Sequence, residues 1–103
     1  MSNTTTTPRV KITSSSNIRT TNLSITVADT EQSHVLVGGV KALRVRNRDT
    51  ALTRLSYVSG ETTTNYVTIP MGCNYELANI DFSSLTLYVR ASQVSTLEIE
   101  ELY

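Results

Sequence analysis

The C-terminal stretch SSLTLYVRASQVSTLEIEEL, residues 83–102, contains the two clearest strand patterns in the chain. Apolar residues recur at every second position in its first half, and Leu97 and Ile99 alternate with glutamates in its second half. Alternation with a period of two places the apolar side chains on one face of a strand. The connection from Ala91 to Ser95 has the length of a hairpin loop, so the stretch predicts two adjacent antiparallel strands.

The same alternation indicates a register for this hairpin that puts every apolar side chain on one face, since a slip by one residue would move them to the other face. The expected cross-strand pairs are Val89 with Leu97, Leu87 with Ile99, Tyr88 with Glu98 and Thr86 with Glu100.

Similar short patterns recur towards the N-terminus at intervals of about ten residues, separated by turn residues. The segments HVLVGGVKALRVRN, LTRLSYVSG and ETTTNYVTIPMG each contain a short alternation, which stops at a glycine, at a proline or at the turn RDTA. No segment shows helical spacing over three turns. Seven to nine short strands of this kind predict an all-β fold, an antiparallel β-sandwich of jelly-roll or immunoglobulin-like type.

The N-terminal third differs in composition from the rest of the chain. Residues 1–33 contain runs of threonine and serine with only short apolar alternations, Val10 with Ile12 and then Leu23 to Val27. Polar stretches bury too little surface to offset the entropy of ordering. We therefore expect residues 1–33 to form an arm with one or two strands, at Arg9–Ile12 and Leu23–Val27, and residues 34–103 to form the sandwich body.

Charge and cysteine content limit the function classes. Nine basic and nine acidic residues cancel, so no overall field attracts nucleic acid or an anionic membrane. The single cysteine has no internal disulfide partner, and the opening MSNTTTTPR lacks the apolar stretch of a signal peptide. No run is long enough to span a bilayer. We expect a protein made and kept in a reducing cytoplasm, with no nucleic-acid and no membrane partner.

Residues capable of catalysis or metal binding are few. His34 is the only histidine and Cys73 the only cysteine, and they lie in unrelated segments. A structural role is expected for His34, and Cys73 is expected to be a half-buried side chain near a sheet corner. Glu98, Glu100 and Glu101 offer oxygen ligands for a cation, but charge pairing across strands, with Arg90 in reach, explains them without a metal. We expect no enzyme activity, no cofactor and no metal.

The segment LRVRNRDTALTR, residues 43–54, concentrates positive charge. Its alternation places Arg44, Arg46 and Arg48 on one strand face, while Arg54 belongs to the next strand, taken to be adjacent. The face is either simply solvated, or paired with Glu98 and Glu100, or a contact surface for an acidic patch on another subunit. Nucleic-acid binding is less favoured because aromatics are not interleaved. The predicted interface residues are Arg44, Arg46, Arg48, Arg54, Arg9 and Lys11.

Residues 35–103 resemble the small β-sandwich virion proteins of tailed bacteriophages. The resemblance lies in the strand LRVRN, a strand ending at Gly60, the Pro70-Met71-Gly72 turn and the strand Leu87-Tyr88-Val89-Arg90-Ala91. The long Ser/Thr-rich N-terminal part departs from this pattern.

The resemblance implies a non-enzymatic virion protein on the capsid surface, a decoration (cement) protein that oligomerises on the head and stabilises it. Its implied partners are the major capsid protein and copies of itself, with a trimer expected by analogy. A head-fibre, head-tail or tail component is the alternative. A glycan-binding adhesion module is a further alternative and would use exposed tyrosines, namely Tyr57, Tyr66, Tyr75 and Tyr88.

Overall fold

The chain folds into two antiparallel four-stranded β-sheets packed face to face. A computed structural model describes residues 17–80 and 82–103, and these residues contain no helix. The eight strands are β1 (Ile18–Ile25), β2 (Gln32–Val35), β3 (Ala42–Asn47), β4 (Thr53–Ser56), β5 (Val67–Ile69), β6 (Asn74–Leu77), β7 (Thr86–Ala91) and β8 (Ser95–Leu102). Sheet A has the order β1-β8-β3-β6, and sheet B has the order β2-β7-β4-β5. The predicted β-sandwich is confirmed.

Strand pairing identifies the sandwich as a jelly roll. The first strand pairs with the last, the second with the second-last, and so on to the middle of the chain. The pairs are β1 with β8, β2 with β7, β3 with β6 and β4 with β5. This is a long hairpin wrapped into two sheets, the arrangement of an eight-stranded jelly roll. Every connection except that between β4 and β5 therefore passes from one sheet to the other.

The predicted hairpin between β7 and β8 is wrong. β7 lies in sheet B between β2 and β4, and β8 lies in sheet A between β1 and β3. Leu87 and Val89 do face the same core as Leu97 and Ile99, but across the sandwich and not along one sheet. Alternation reports which face of a strand is buried, and it does not report whether the buried partner is a neighbouring strand or the opposite sheet.

The N-terminal part of the described chain belongs to the sheets. β1 pairs with β8 over its whole length, from Ile18 opposite Leu102 to Ile25 opposite Ser95. The predicted division between residues 33 and 34 falls inside β2. The predicted strand Leu23–Val27 overlaps β1, which ends at Ile25, and the predicted strand Arg9–Ile12 lies outside the described residues.

The core lies between the sheets and consists of the apolar residues at alternate positions of the inner strands. Leu55, Leu87, Val89, Leu97 and Ile99 are fully buried. Polar residues share this environment, and three of them, Asn47, Thr53 and Glu101, are fully buried.

Candidate functional site

The outer face of sheet A carries the arginine run. Arg44 and Arg46 in β3 and Arg48 just after it are exposed, because the intervening Leu43, Val45 and Asn47 point into the core. The register places Arg44 opposite Glu100 of β8 on one side and Glu76 of β6 on the other. A depression of about 300 Å³ on this face is lined by Thr20, Asn22, Arg44, Arg46, Asn74, Glu98 and Glu100.

Two of the three arginines form ion pairs with β8. Arg44 donates from Nε to Glu100 Oε1 at 2.8 Å, and its Nη2 also contacts that oxygen. Arg48 Nη1 donates to Glu98 Oε2 at 2.8 Å. All four side chains are between 30% and 51% exposed, so each pair contributes at most about 1 kcal/mol to folding. The sequence left three alternatives for this face: solvation, pairing with Glu98 and Glu100, or contact with another subunit. The structure shows the second for two arginines, since Arg44 pairs with Glu100 and Arg48 with Glu98.

Arg46 differs from its two neighbours. By register it lies opposite Glu98, but the carboxylate of Glu98 is bonded to Arg48. No described residue forms a hydrogen bond or an ion pair with the Arg46 guanidinium. Within the described part of the chain, the Arg46 guanidinium is thus a planar donor without an acceptor, between two arginines that have one, and such a donor suits a carboxylate from another molecule.

Arg54 does not belong to this cluster, although it was predicted to. It lies in β4 of sheet B, and its guanidinium carbon is 4.5 Å from the centre of the Tyr66 ring on the opposite outer face. The connection from β3 to β4 crosses between the sheets, so outward residues on the two strands point in opposite directions. Arg9 and Lys11, the other two predicted interface residues, lie outside the described residues.

The predicted pairing of Glu98 with Tyr88 and of Glu100 with Thr86 is also wrong, since β7 and β8 lie in different sheets. Arg90, expected near the glutamates, lies on the outer face of sheet B. Its Nε donates to Thr62 Oγ1 at 3.2 Å, and its Nη1 contacts the Asp29 carbonyl oxygen.

A buried ionic cluster surrounds Glu101, which sequence reasoning missed. Arg19 of β1 donates to Glu101 Oε1 from Nε at 3.1 Å and from Nη2 at 2.6 Å. The second carboxylate oxygen accepts from the Val37 N–H at 2.5 Å, and His34 Nε2 lies 3.2 Å from Oε1. The cluster joins β1 and β8 of sheet A to β2 of sheet B. The sequence did contain a signal for this burial. Glu101 lies two and four residues after Ile99 and Leu97, so it falls on the same strand face as these two core residues.

Asn47 is another fully buried polar residue, and its side chain links the two sheets at one end of the sandwich. Its side-chain amide donates to the carbonyl oxygens of Ala51 at 2.6 Å and of Ile69 at 3.0 Å. Its backbone exchanges hydrogen bonds with the turn after β5, at Gly72 and Cys73. Asn47 therefore ties sheet A to the strand ends of sheet B, which is a structural role.

The tyrosines proposed as a glycan platform do not share one exposed surface. Tyr57 and Tyr75 are half-buried, and their hydroxyl oxygens lie 2.9 Å apart. Burial and this hydrogen bond raise the pKa of the Tyr57 hydroxyl well above its ordinary value. Tyr66 carries the Arg54 guanidinium over its ring. Tyr88 is half-buried in β7.

The remaining candidate residues stand apart from each other. Cys73 is exposed in the turn between β5 and β6, so the expectation of a half-buried side chain is wrong. Within residues 17–80 and 82–103, no three His, Cys, Asp or Glu side chains are grouped so as to hold a metal ion. The same residues contain no helix of the length and apolar content needed to cross a membrane.

Comparison with known proteins gives no relative for this chain: no family model, no curated protein and no solved structure matches it.

Proposed function

We propose that this protein is a non-enzymatic structural protein of a bacteriophage virion, a capsid decoration protein that docks on the head through the outer face of sheet A. The observation that carries the proposal is the Arg46 guanidinium, held on a sheet face without a partner among the described residues. Its neighbours Arg44 and Arg48 are fixed by their own glutamates. An incoming carboxylate therefore meets a guanidinium that no described residue neutralises, on a side chain whose backbone is held in β3.

The fold supports the same proposal. Jelly rolls are used by viral capsid proteins and by lectins, so the architecture is suited to assembly and to carbohydrate binding alike. Lectin-like binding is supported less, because two of the four candidate tyrosines bond to each other. The resemblance of residues 35–103 to small virion proteins favours assembly.

The charges on the outer face of sheet A are balanced, which favours recognition of one specific partner over attraction to any negatively charged surface. Its arginines Arg44, Arg46 and Arg48 are balanced by Glu76, Glu98 and Glu100, so the face carries no large net charge. A partner is then recognised by where its carboxylates lie and not by its total charge. The major capsid protein is the proposed partner, and the pairing with Arg46 is the proposed contact.

The test measures binding to heads. Particles are purified from cells carrying the gene, and mass spectrometry with cryo-electron microscopy determines whether the protein lies on the capsid surface. Arg46→Glu is expected to lower the amount bound to heads at least tenfold, because it places a carboxylate against a carboxylate; a tenfold loss corresponds to about 1.4 kcal/mol.

Arg54→Glu is the matched control, since it makes the same charge change on the opposite outer face. It is expected to leave binding unchanged. Equal binding by both variants, or equal loss by both, contradicts docking through the outer face of sheet A. Absence of the protein from purified particles contradicts the virion proposal as a whole.

A further inference from the structure

The edge of β1 that faces away from β8 differs from the other three sheet edges. β5 has three residues, β2 and β6 have four each, and β1 has eight in unbroken register with β8. The outward side chains of β1 carry no charge; they are Ile18, Thr20, Asn22 and Ser24. Proteins commonly protect edges by shortness, charge, proline or a bulge. β1 is long and has no proline and no bulge against β8, and its one charged residue, Arg19, points inwards and is paired with Glu101.

The hydrogen bonds of β1 define which backbone groups face outwards. Asn17 and Tyr103 exchange two backbone hydrogen bonds of 2.9 Å, which fixes the alternation along the ladder. In an antiparallel pair every second residue bonds to the partner strand. Arg19 and the residues at every second position after it therefore bond to β8. The N–H and C=O groups of Ile18, Thr20, Asn22 and Ser24 point away from β8.

One end of this edge is already closed. The Gln32 side-chain amide, from β2 in the other sheet, donates to the Ser24 carbonyl oxygen at 2.8 Å. No described residue bonds to the outward backbone groups of Ile18, Thr20 or Asn22. With respect to residues 17–80 and 82–103, the open part of the edge spans five residues, Ile18 to Asn22, and has Thr20 at its centre.

We propose that this open edge is a self-association surface, on which β1 of a second copy pairs antiparallel about a two-fold axis at Thr20. Ile18 then lies opposite Asn22 of the second copy, and Thr20 opposite Thr20. Each of these pairs joins residues whose donors and acceptors are both open, so each exchanges two backbone hydrogen bonds. The pairing stops where Gln32 closes the edge, and the two-fold axis imposes the same limit at the other end.

Charge is compatible with this register. The residues between the bonded pairs place Arg19 opposite Thr21 of the second copy, so no like charges lie directly opposite each other. Two copies of sheet A become one continuous eight-stranded sheet. The interface is isologous and closes on itself, which gives a dimer in place of the trimer expected by analogy. It does not depend on the capsid-binding proposal and is testable in its absence.

The test is disulfide trapping in the full chain with Cys73→Ser. Thr20→Cys places two cysteines on the two-fold axis with Cα atoms about 5.5 Å apart, a separation that a disulfide spans. We expect most of the chain to run as a covalent dimer on a non-reducing gel after mild oxidation. Ser24→Cys is the matched control, because its two copies lie roughly 27 Å apart along the strands, at about 3.4 Å per residue, and are expected to stay unlinked.

Sedimentation of the unmodified protein completes the test, with a dimer expected. Amide hydrogen exchange gives a measurement free of substitutions, with protection of Thr20 and Asn22 expected to rise with protein concentration. The proposal is overturned if the protein sediments as a monomer and the Thr20→Cys variant stays unlinked. That result is expected if another segment of the same chain, such as residues 9–12, pairs with the edge. A trimer, or equal linking at positions 20 and 24, also overturns the proposal.

Discussion

The two lateral sides of the sandwich are closed by different chemistry. On the side where β1 meets β2, a fully buried carboxylate, Glu101, is held by Arg19, His34 and a backbone N–H. On the side where β6 meets the segment after β4, two neutral hydroxyls, Tyr57 and Tyr75, bond to each other. One side is charged and has several partners, and the other is neutral and has one pair.

This difference predicts where the fold is most sensitive to substitution. A buried charge is tolerated only while every partner is present, because removing one leaves an ion in a poor solvent. A neutral hydroxyl pair has a smaller desolvation cost, and its net contribution is correspondingly modest. The side next to the open β1 edge is therefore the one with the larger energetic consequences.

Removing the central carboxylate is the largest change expected. Glu101→Ala deletes an acceptor of four hydrogen bonds or close contacts and leaves the Arg19 guanidinium without its anion. We expect the free energy of unfolding to fall by about 3 to 5 kcal/mol, measured by urea denaturation at neutral pH.

Glu100→Ala is the matched control, since it removes the neighbouring glutamate and its exposed pair with Arg44. Its expected cost is below about 1 kcal/mol. If the two variants unfold at the same urea concentration, the ionic cluster does not determine the stability of this side.

A smaller effect is expected when the charge at position 19 is kept and only the geometry is changed. The Arg19 side chain, 40% exposed, bonds to Glu101 from two nitrogens and also donates to the Val35 carbonyl oxygen at 3.1 Å. Lysine carries its three N–H donors on a single nitrogen, so it cannot reproduce the second bond to Glu101 that Arg19 makes from Nε. Arg19→Lys is expected to cost about 1.5 kcal/mol in urea denaturation. A cost equal to that of Glu101→Ala would mean that the lysine ammonium does not reach the Glu101 carboxylate at all.

Sequence reasoning predicted the sandwich because alternation directly reports burial in strands. It placed Leu87, Val89, Leu97 and Ile99 in the core correctly. It placed β7 beside β8 wrongly, because a short connection is compatible with a hairpin and with a crossing between sheets. Long-range pairing such as that of β1 with β8 leaves no local signal.

The candidate site shows the same limit. Alternation correctly put Arg44, Arg46 and Arg48 on one face, because the three residues are spaced by two along the same stretch of extended chain. Arg54 was misplaced because its strand belongs to the other sheet, which only the topology determines. Glu101 was missed as a buried group because an acidic residue is normally assigned to the surface. Its two-residue spacing from Ile99 indicated the buried face, but its charge was given more weight.

The neutral side is tested by Tyr57→Phe, which removes the hydroxyl and leaves the ring. At neutral pH we expect the free energy of unfolding to fall by about 1 kcal/mol, which is the net contribution of one hydrogen bond. This is the smallest of the three effects. Tyr75→Phe removes the other half of the same pair, so the double variant is expected to cost little more than either single one. Additive costs in urea denaturation would show that the two hydroxyls act independently.

Alkaline pH sharpens the test of this side. Burial and the bond to Tyr75 raise the pKa of Tyr57, so the folded protein keeps this proton at a pH where the unfolded chain loses it. Above about pH 10 the unfolded state binds fewer protons, and the contribution of Tyr57 to stability falls by up to about 1.4 kcal/mol per pH unit. Tyr57→Phe is expected to show a shallower loss of stability above that pH and to run parallel to the unsubstituted protein below about pH 9. Parallel curves throughout the alkaline range would show that the Tyr57 hydroxyl is not protected from ionisation by the fold.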